Sequence, residues 1–286
     1  MSTFKARIWQ WHSAKIALLV LVAVPWIFVP LWLLVVNSFK PLSEASLLNL
    51  SLPEHWAIVS NYRTVFSDWH FLTALKNSVL VVIPTILAVV FFGSLAAWAF
   101  ARSRSMTMKV AFNISVLSIL LPPAALPTIY LLQQINLDGT LAGYTLATIG
   151  ARMGIVIFLA TGFLRAFPTS LEEAAAIDGA SRLRMYWWIV LPLLRPVLLV
   201  GTVILMISVW NEFFFALFLL GGSDQATLPL SLFQHASAAL GGSVESAYLW
   251  NLIFADVVLM SVPILLLYLF VQKRLISGLS EGALKG

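Results

Sequence analysis

Residues 78–100 read SVLVVIPTILAVVFFGSLAAWAF, from Ser78 to Phe100, with no Asp, Glu, Lys, Arg or His among them. A helix needs roughly 20 residues to cross about 30 Å of hydrocarbon, so a stretch of this length and polarity reads as a transmembrane helix. Five further apolar runs flank it: Ile16 to Val36, Val110 to Leu132, Leu146 to Phe163, Val197 to Leu220, and Leu252 to Val271. The expected fold is therefore an all-α membrane protein with six transmembrane helices. The composition agrees, since 60% of the residues are hydrophobic and 10% charged, against about 25% charged in soluble domains. Mean hydropathy is +0.95.

The first run is longer than the 7–15 apolar residues of a signal peptide, and no small-x-small cleavage site precedes Asn37-Ser38-Phe39-Lys40. It is expected to be a retained span. Basic residues then set the orientation, because Lys and Arg in short loops stay cytoplasmic. Lys5, Arg7, Lys15, Arg102, Arg104, Lys109, Arg165, Arg182, Arg184, Arg195, Lys273, Arg274 and Lys285 fall on one side of the six-span scheme. Lys40, Arg63 and Lys76 fall on the other, and Arg152 lies within a span. Both termini are expected in the cytoplasm.

Topology thus explains the net charge of +5, and neither it nor the pI of 9.6 is a nucleic-acid signature. The sequence has no cysteine, which excludes disulfides, thiolate metal sites and cysteine nucleophiles. His12, His55, His70 and His235 show no metal-like spacing and read as solvated residues of tails and loops. No metal, and no cofactor held by this chain, is expected.

Two segments on the expected external side are long enough to carry structure, residues 37–77 and 221–248. The first contains Trp56, Tyr62, Phe66, Trp69 and Phe71, which suit either an interfacial aromatic belt or a platform for an external partner.

The remaining chain outside the membrane gathers in one expected cytoplasmic loop, residues 164–196. Ser170-Leu171-Glu172-Glu173 has capping-box spacing, with Ser170 to accept from the Glu173 amide and the Glu173 carboxylate to reach back. Ala174, Ala175 and Ala176 favour helix, and Asp178-Gly179 supplies a stop because Gly tolerates the left-handed conformation at a helix end. A second short helix is expected over Arg182–Ile189, ending at Leu191-Pro192 since proline cannot continue the hydrogen-bond ladder. A smooth alanine face beside a glycine corner fits a plug for a partner protein. The tryptophans and arginines fit an amphipathic connector on the membrane surface equally well.

The segment Glu173-Ala174-Ala175-Ala176-Ile177-Asp178-Gly179-Ala180, followed by Ile189-Val190-Leu191-Pro192, resembles the EAA signature of ABC importer permeases. Asn37-Ser38-Phe39-Lys40, Asn61-Tyr62, Asn77-Ser78, Leu121-Pro122-Pro123, Trp210-Asn211-Glu212-Phe213, Thr227-Leu228-Pro229 and the ending Gly278–Gly286 are similar to the carbohydrate importer branch, the class of the second permease of maltose-type transporters. Glu281 departs from the small residue more usual there. The resemblance implies a type I importer permease fold in a bacterial plasma membrane, one transmembrane domain over 1–286 with its core at about 71–271. It also implies a second homologous permease, two cytoplasmic ATP-binding subunits carrying ATP and Mg, an extracytoplasmic solute-binding protein, and a sugar substrate. The coupling contacts with the ATPase would be Glu172, Glu173, Ala174, Ala175, Asp178, Gly179 and Ala180, with Glu173 and Gly179 central. No G-x-x-x-x-G-K-[ST] phosphate loop occurs in this chain, so any ATPase is a separate subunit and this chain is not itself an enzyme.

Charged groups cost about 2.5–3.5 kcal/mol at a bilayer centre on insertion scales, and within spans they flag pairing or function. Arg152, Glu212 and Asp256 are the three here, all in the expected outer half. Asn211, Glu212 and Asp256 are candidates to face a polar sugar pathway, with Arg152 pairing with one of the acids. Alternatively Arg152 snorkels outward and the acids make structural contacts. Pro122-Pro123 suits a bending point in the third span, while Gly139-x-x-x-Gly143 and Gly150-x-x-x-Gly154 suit close helix packing. The rival function is a secondary transporter driven by an ion gradient, with the three charges as its relay.

Overall fold

The computed structural model of the protein describes residues 2–221, 223–240 and 249–283. Among these, all regular structure is helical. The elements are α1 (Ser2–Ser38), α2 (Leu42–Ala45), α3 (Ile58–Ser67), α4 (Trp69–Arg102), α5 (Met106–Leu120), α6 (Ala125–Gln134), α7 (Leu141–Arg165), α8 (Ser170–Ile177) and α9 (Arg182–Met185), then a π-helical turn (Tyr186–Val190), α10 (Leu191–Trp210), α11 (Phe214–Leu220), α12 (Leu228–Leu240) and α13 (Trp250–Ala283). Part of the second external segment, at 222 and 241–248, and the chain end at 284–286 lie outside the described residues.

Among the described residues five helices are long and apolar enough to cross a membrane: Leu19–Ser38, His70–Arg102, Leu141–Arg165, Arg182–Trp210 and Trp250–Gln272. The third expected span, Val110 to Leu132, is not one helix. α5 and α6 meet at 114°, because Pro122 and Pro123 remove two backbone donors and bias Leu121 to an extended conformation, φ −87° and ψ 136°.

The fifth span also departs from expectation, at both ends. It begins at Arg182 rather than Val197, and Leu191-Pro192 does not end the preceding helix. The π-helical turn carries the chain through instead, the Leu191 amide reaching Tyr186 O five residues back. At the other end α10 stops at Trp210, where Asn211 Nδ2 donates to Ile207 O (2.9 Å). The chain resumes as α11 after Phe213.

The chain divides into two compact units, Met1–Trp69 with Leu232–Val262, and His70–Ser231 with Pro263–Gly286. In the second, Val89 and Ala97 of α4, Val156, Ala160 and Leu164 of α7, Tyr186 and Val190 of the π turn, and Leu194, Leu198 and Leu205 of α10 form the buried core. Gly154 brings α7 against α5, since a Cβ there would lie 2.3 Å from Ser115 O and 2.4 Å from Ser118 Oγ. Gly150 does not serve this packing, as its missing Cβ would meet only open space. Gly139 is a turn residue at φ +65° ahead of α7. Thr140 caps that helix by accepting from the Gly143 amide.

In the first unit a polar knot lies among buried apolar residues such as Val36, Val65 and Ala255. Lys40 is fully buried, and its Nζ donates to Asn37 Oδ1 (3.1 Å), Asn49 O (3.1 Å) and Asn49 Oδ1 (2.6 Å). Burial pushes its pKa below the usual lysine value, with Glu44 opposing. Asn61 donates to Ser38 O and Lys40 O, and Asn251 of α13 donates to Asn61 Oδ1. Two of the blocks quoted from the sequence, Asn37–Lys40 and Asn61-Tyr62, thus meet as hydrogen-bond partners, with the Tyr62 hydroxyl also 3.0 Å from Ser38 Oγ.

Candidate functional site

The loop at 164–196 builds a helical hairpin whose corner is fixed by the backbone. Pro168, which cannot donate, precedes Thr169, and Thr169 rather than Ser170 is the N-cap of α8. The expected capping box does not form, because the Thr169 side chain accepts from no backbone amide. Glu173 N donates to Thr169 O (2.9 Å), and the Thr169 hydroxyl donates to Glu173 Oε1 (2.6 Å). At the far end Ala180 N donates to Ala175 O (2.9 Å) and Gly179 N to Ala176 O (3.1 Å), with Gly179 at φ +80°. That pairing is a Schellman motif, which satisfies the carbonyls a helix end leaves unpaired. The corner turns into α9, capped by Ser181 Oγ accepting from the Arg184 amide.

This hairpin presents an unusual surface. Ile177 at its tip is 86% exposed and Trp188 79%. Glu173, Ala174, Ala176, Asp178 and Gly179 are all exposed, with Ala175 and Ala180 half-buried. Between the two arms lies a groove of about 460 Å³ lined by Ala175, Asp178, Ala180, Arg184, Met185 and Trp188.

Glu172 behaves differently from its neighbour. Its carboxylate turns back into the chain, where Oε2 accepts from Trp98 Nε1 (2.9 Å) and Oε1 from Arg102 Nε (2.9 Å). Arg102 Nη1 also donates to Leu164 O (3.1 Å). Trp98 in turn lies 6.1 Å from the Tyr186 ring, whose hydroxyl is 2.7 Å from Ser94 Oγ. One face of α4 thereby holds both arms of the hairpin. Sequence reading missed this clamp, although Ser94, Trp98 and Arg102 stand four apart and so share a helix face.

The second constellation lies at the break between α10 and α11. Glu212 accepts from the Phe215 amide through Oε1 (3.0 Å), capping α11, and pairs through Oε2 with the Arg152 guanidinium of α7. Arg152 thus pairs with Glu212 rather than with Asp256. Both side chains are largely buried, at 22% and 11% exposure, while Arg152 Nε has no protein partner. A cavity of about 760 Å³ opens beside the pair, lined by Leu121, Pro122, Pro123, Gly150, Arg152 and Phe215 among others. Both broken spans, α5–α6 and α10–α11, border it, and its size is that of a small-ligand pocket. Asn211 is exposed at the break.

Asp256 does not join this pair. It belongs to the first unit, is 5% exposed, and lies 3.8 Å from His235 Nδ1. His235 is therefore not a solvated loop residue: it sits on α12 with its side chain 21% exposed, on a segment whose helical character the loop reading overlooked. His70 likewise stands in the first turn of α4. His55 matches expectation, 84% exposed and bonded to Glu44. Among the described residues no cluster of His, Cys, Asp and Glu could hold a metal.

Comparison with known proteins places this geometry. Residues 89–281 match the family described as "Binding-protein-dependent transport system inner membrane component". Relatives include the "Probable starch degradation products transport system permease protein AmyC" of Thermoanaerobacterium thermosulfurigenes, 29% identical over 258 residues, covering 90% of this chain and 91% of that one. Another is the "Trehalose/maltose transport system permease protein MalG" of Thermococcus litoralis, 30% identical over 272 residues, covering 93% and 94%. Among solved structures, a bacterial ABC transporter that imports the acidic polysaccharide alginate contains a chain of the same fold, with a TM-score of 0.78 at 23% identity over 94% of this chain and 97% of that one. The protein belongs to the family of inner-membrane components of binding-protein-dependent transport systems.

Proposed function

We propose that this chain is one of two permease subunits of an ATP-driven importer for a di- or oligosaccharide, oriented with both termini in the cytoplasm. The observation that carries the coupling half of this reading is the hairpin of α8 and α9. A Schellman corner with Ile177 outermost is a rigid, small-surfaced knuckle suited to a cleft on another protein. Glu173, Ala174, Asp178 and Gly179 form its outer surface, Ala175 and Ala180 line the groove between its arms, and Glu172 fixes its root to α4. The partners are a second permease, two ATP-binding subunits and an extracytoplasmic solute-binding protein. ATP and Mg reside on the ATPase, and this chain hydrolyses nothing itself. The carbohydrate assignment rests on the relatives that carry starch products, trehalose and maltose.

The cavity beside Arg152 and Glu212 is the stretch of sugar pathway contributed by this chain. Its polar atoms exchange hydrogen bonds with sugar hydroxyls, and Asn211, exposed at the helix break, is a further contact. Transport of radiolabelled maltose, trehalose and malto-oligosaccharides into membrane vesicles tests the whole reading. Uptake is expected to require ATP and to be blocked by vanadate, and Ala175→Cys is expected to cross-link to a nucleotide-hydrolysing subunit. Uptake that survives ATP depletion and collapses with a protonophore would instead establish an ion-gradient transporter.

A further inference from the structure

After α1 the chain forms a closed loop, residues 39–57, whose polarity is inside out. Its interior holds the buried Lys40 and the carbonyl and amide of Asn49. Asn49 Oδ1 also accepts from the amide and hydroxyl of Ser51. The mouth is shut by Glu44, whose carboxylate accepts from the amides of Glu54 (2.9 Å) and His55 (3.1 Å), and by Ala57 N donating to Phe39 O. The exterior carries leucine. Leu47, Leu48, Leu50 and Leu52 are 68%, 46%, 47% and 59% exposed, and residues 45–53 contain no charged side chain.

Such a surface is costly in water, and one residue shows that the backbone is bent to make it. Leu48 has φ +48°, a left-handed conformation that residues with a Cβ disfavour and that Gly or Asn ordinarily fill. The strain places a leucine at the crest of the loop.

Depth along α1 says what covers it. Trp32 lies inside the apolar span Leu19–Ser38, six residues before its end, or about 9 Å at roughly 1.5 Å per residue. Its indole Nε1 donates to Leu50 O (3.0 Å). The loop therefore folds back alongside the span to a level below the end of α1. Non-helical backbone survives at that level only if its polar groups are satisfied by protein. The loop meets that condition at the two carbonyls nearest the span, Leu50 O taking the indole of Trp32 and Asn49 O taking both Lys40 Nζ and Asn37 Nδ2.

We infer that the loop crest Leu47–Leu52 is a membrane-seated anchor, its leucines embedded among the phospholipid acyl chains of the leaflet at the Ser38 end of α1. Trp56, 62% exposed, and Val59, 78% exposed, continue the patch, and tryptophan favours the headgroup level. The anchor fixes the height of α1 and of the polar knot around Lys40 relative to the bilayer, independently of the sugar and of any coupling to ATP.

Because the chain has no cysteine, single cysteines at Leu50 and Leu52 can be spin-labelled in the full transporter complex in phosphatidylethanolamine–phosphatidylglycerol nanodiscs. Accessibility to oxygen and to a water-soluble nickel chelate gives their depth, with Leu31→Cys as the buried-in-lipid reference and Arg63→Cys as the aqueous one. Labels at Leu50 and Leu52 are expected to show an oxygen-to-nickel ratio near that at Leu31 and several-fold above that at Arg63. A ratio like that of Arg63 overturns the anchor, and shielding from both reagents overturns it in favour of a protein partner. A nickel-accessible Leu31 overturns the membrane placement of α1 itself. None of these outcomes depends on sugar uptake, so the proposed importer function stands or falls separately.

Discussion

The carboxylate of Glu172 lies 2.7 Å from Arg102 Nη2, both side chains mostly out of solvent, so the root of α8 is fastened to the last turn of a membrane-spanning helix. A pair this enclosed ties the first arm of the hairpin directly to α4. Its partners are all in one cluster, so the two substitutions should be strongly non-additive.

Glu172→Gln and Arg102→Gln are each expected to lower the thermal stability of the purified complex. The double variant should recover about 1 kcal/mol relative to the sum of the singles, as a double-mutant cycle measures. Sugar uptake should fall in each single variant while membrane insertion is unchanged. Full additivity would mean that the contact transmits nothing.

Glu212 does two jobs, capping α11 through one oxygen and neutralising Arg152 through the other. Glu212→Gln keeps an acceptor for the Phe215 amide and loses the charge, whereas Glu212→Ala loses both and leaves Arg152 unpaired. The alanine variant is expected to cost on the order of 3 kcal/mol and the glutamine variant less, measured by thermal unfolding in lipid nanodiscs. If sugar passes this way, both variants slow uptake, and Glu212→Gln does so at nearly normal protein abundance.

Gly179 is required for its conformation and not for space, since a Cβ there would touch nothing within 4 Å while φ is +80°. Gly179→Asn should be nearly tolerated and Gly179→Ala should cost about 1 kcal/mol. Gly179→Arg adds bulk and charge to the knuckle and should also uncouple ATP hydrolysis from uptake. Parallel ATPase and uptake assays on the three variants check the order.

Gly150 and Gly154 occupy one small-x-x-x-small pattern, yet the structure gives them opposite tolerance. Gly154→Ala must push a Cβ into Ser115 O and should cost about 1–3 kcal/mol by forcing α5 from α7. Gly150→Ala should leave stability unchanged and slightly reduce the neighbouring cavity. Thermal melts of both variants give the comparison directly.

Hydropathy made the spans legible because solvation by lipid acts on each residue independently of its contacts. It found His70–Arg102 and Leu141–Arg165 to within several residues. Breaks within spans depend on local hydrogen bonding, so Pro122-Pro123 could be flagged as a bend, but the interruption at Asn211–Phe213 became visible only when Glu212 was seen to cap α11. At Pro192 the rule that proline ends a helix failed, because a π turn absorbed the misfit.

The hairpin corner was readable residue by residue, Gly179 supplying the expected left-handed turn. Its attachment was not, as Arg102 and Glu172 are seventy positions apart and single-sequence periodicity carries no information at that range. The same limit hid the placement of Asp256 beside His235.

One consequence of the π turn Tyr186–Val190 concerns how far a push can travel. Because Arg182–Trp210 is a single rod, the knuckle and the floor of the cavity near Glu212 are joined by a continuous shaft. The wide turn seats one surplus residue without interrupting the helix, so the hairpin's second arm and the break at Asn211 stand at opposite ends of one unbroken element.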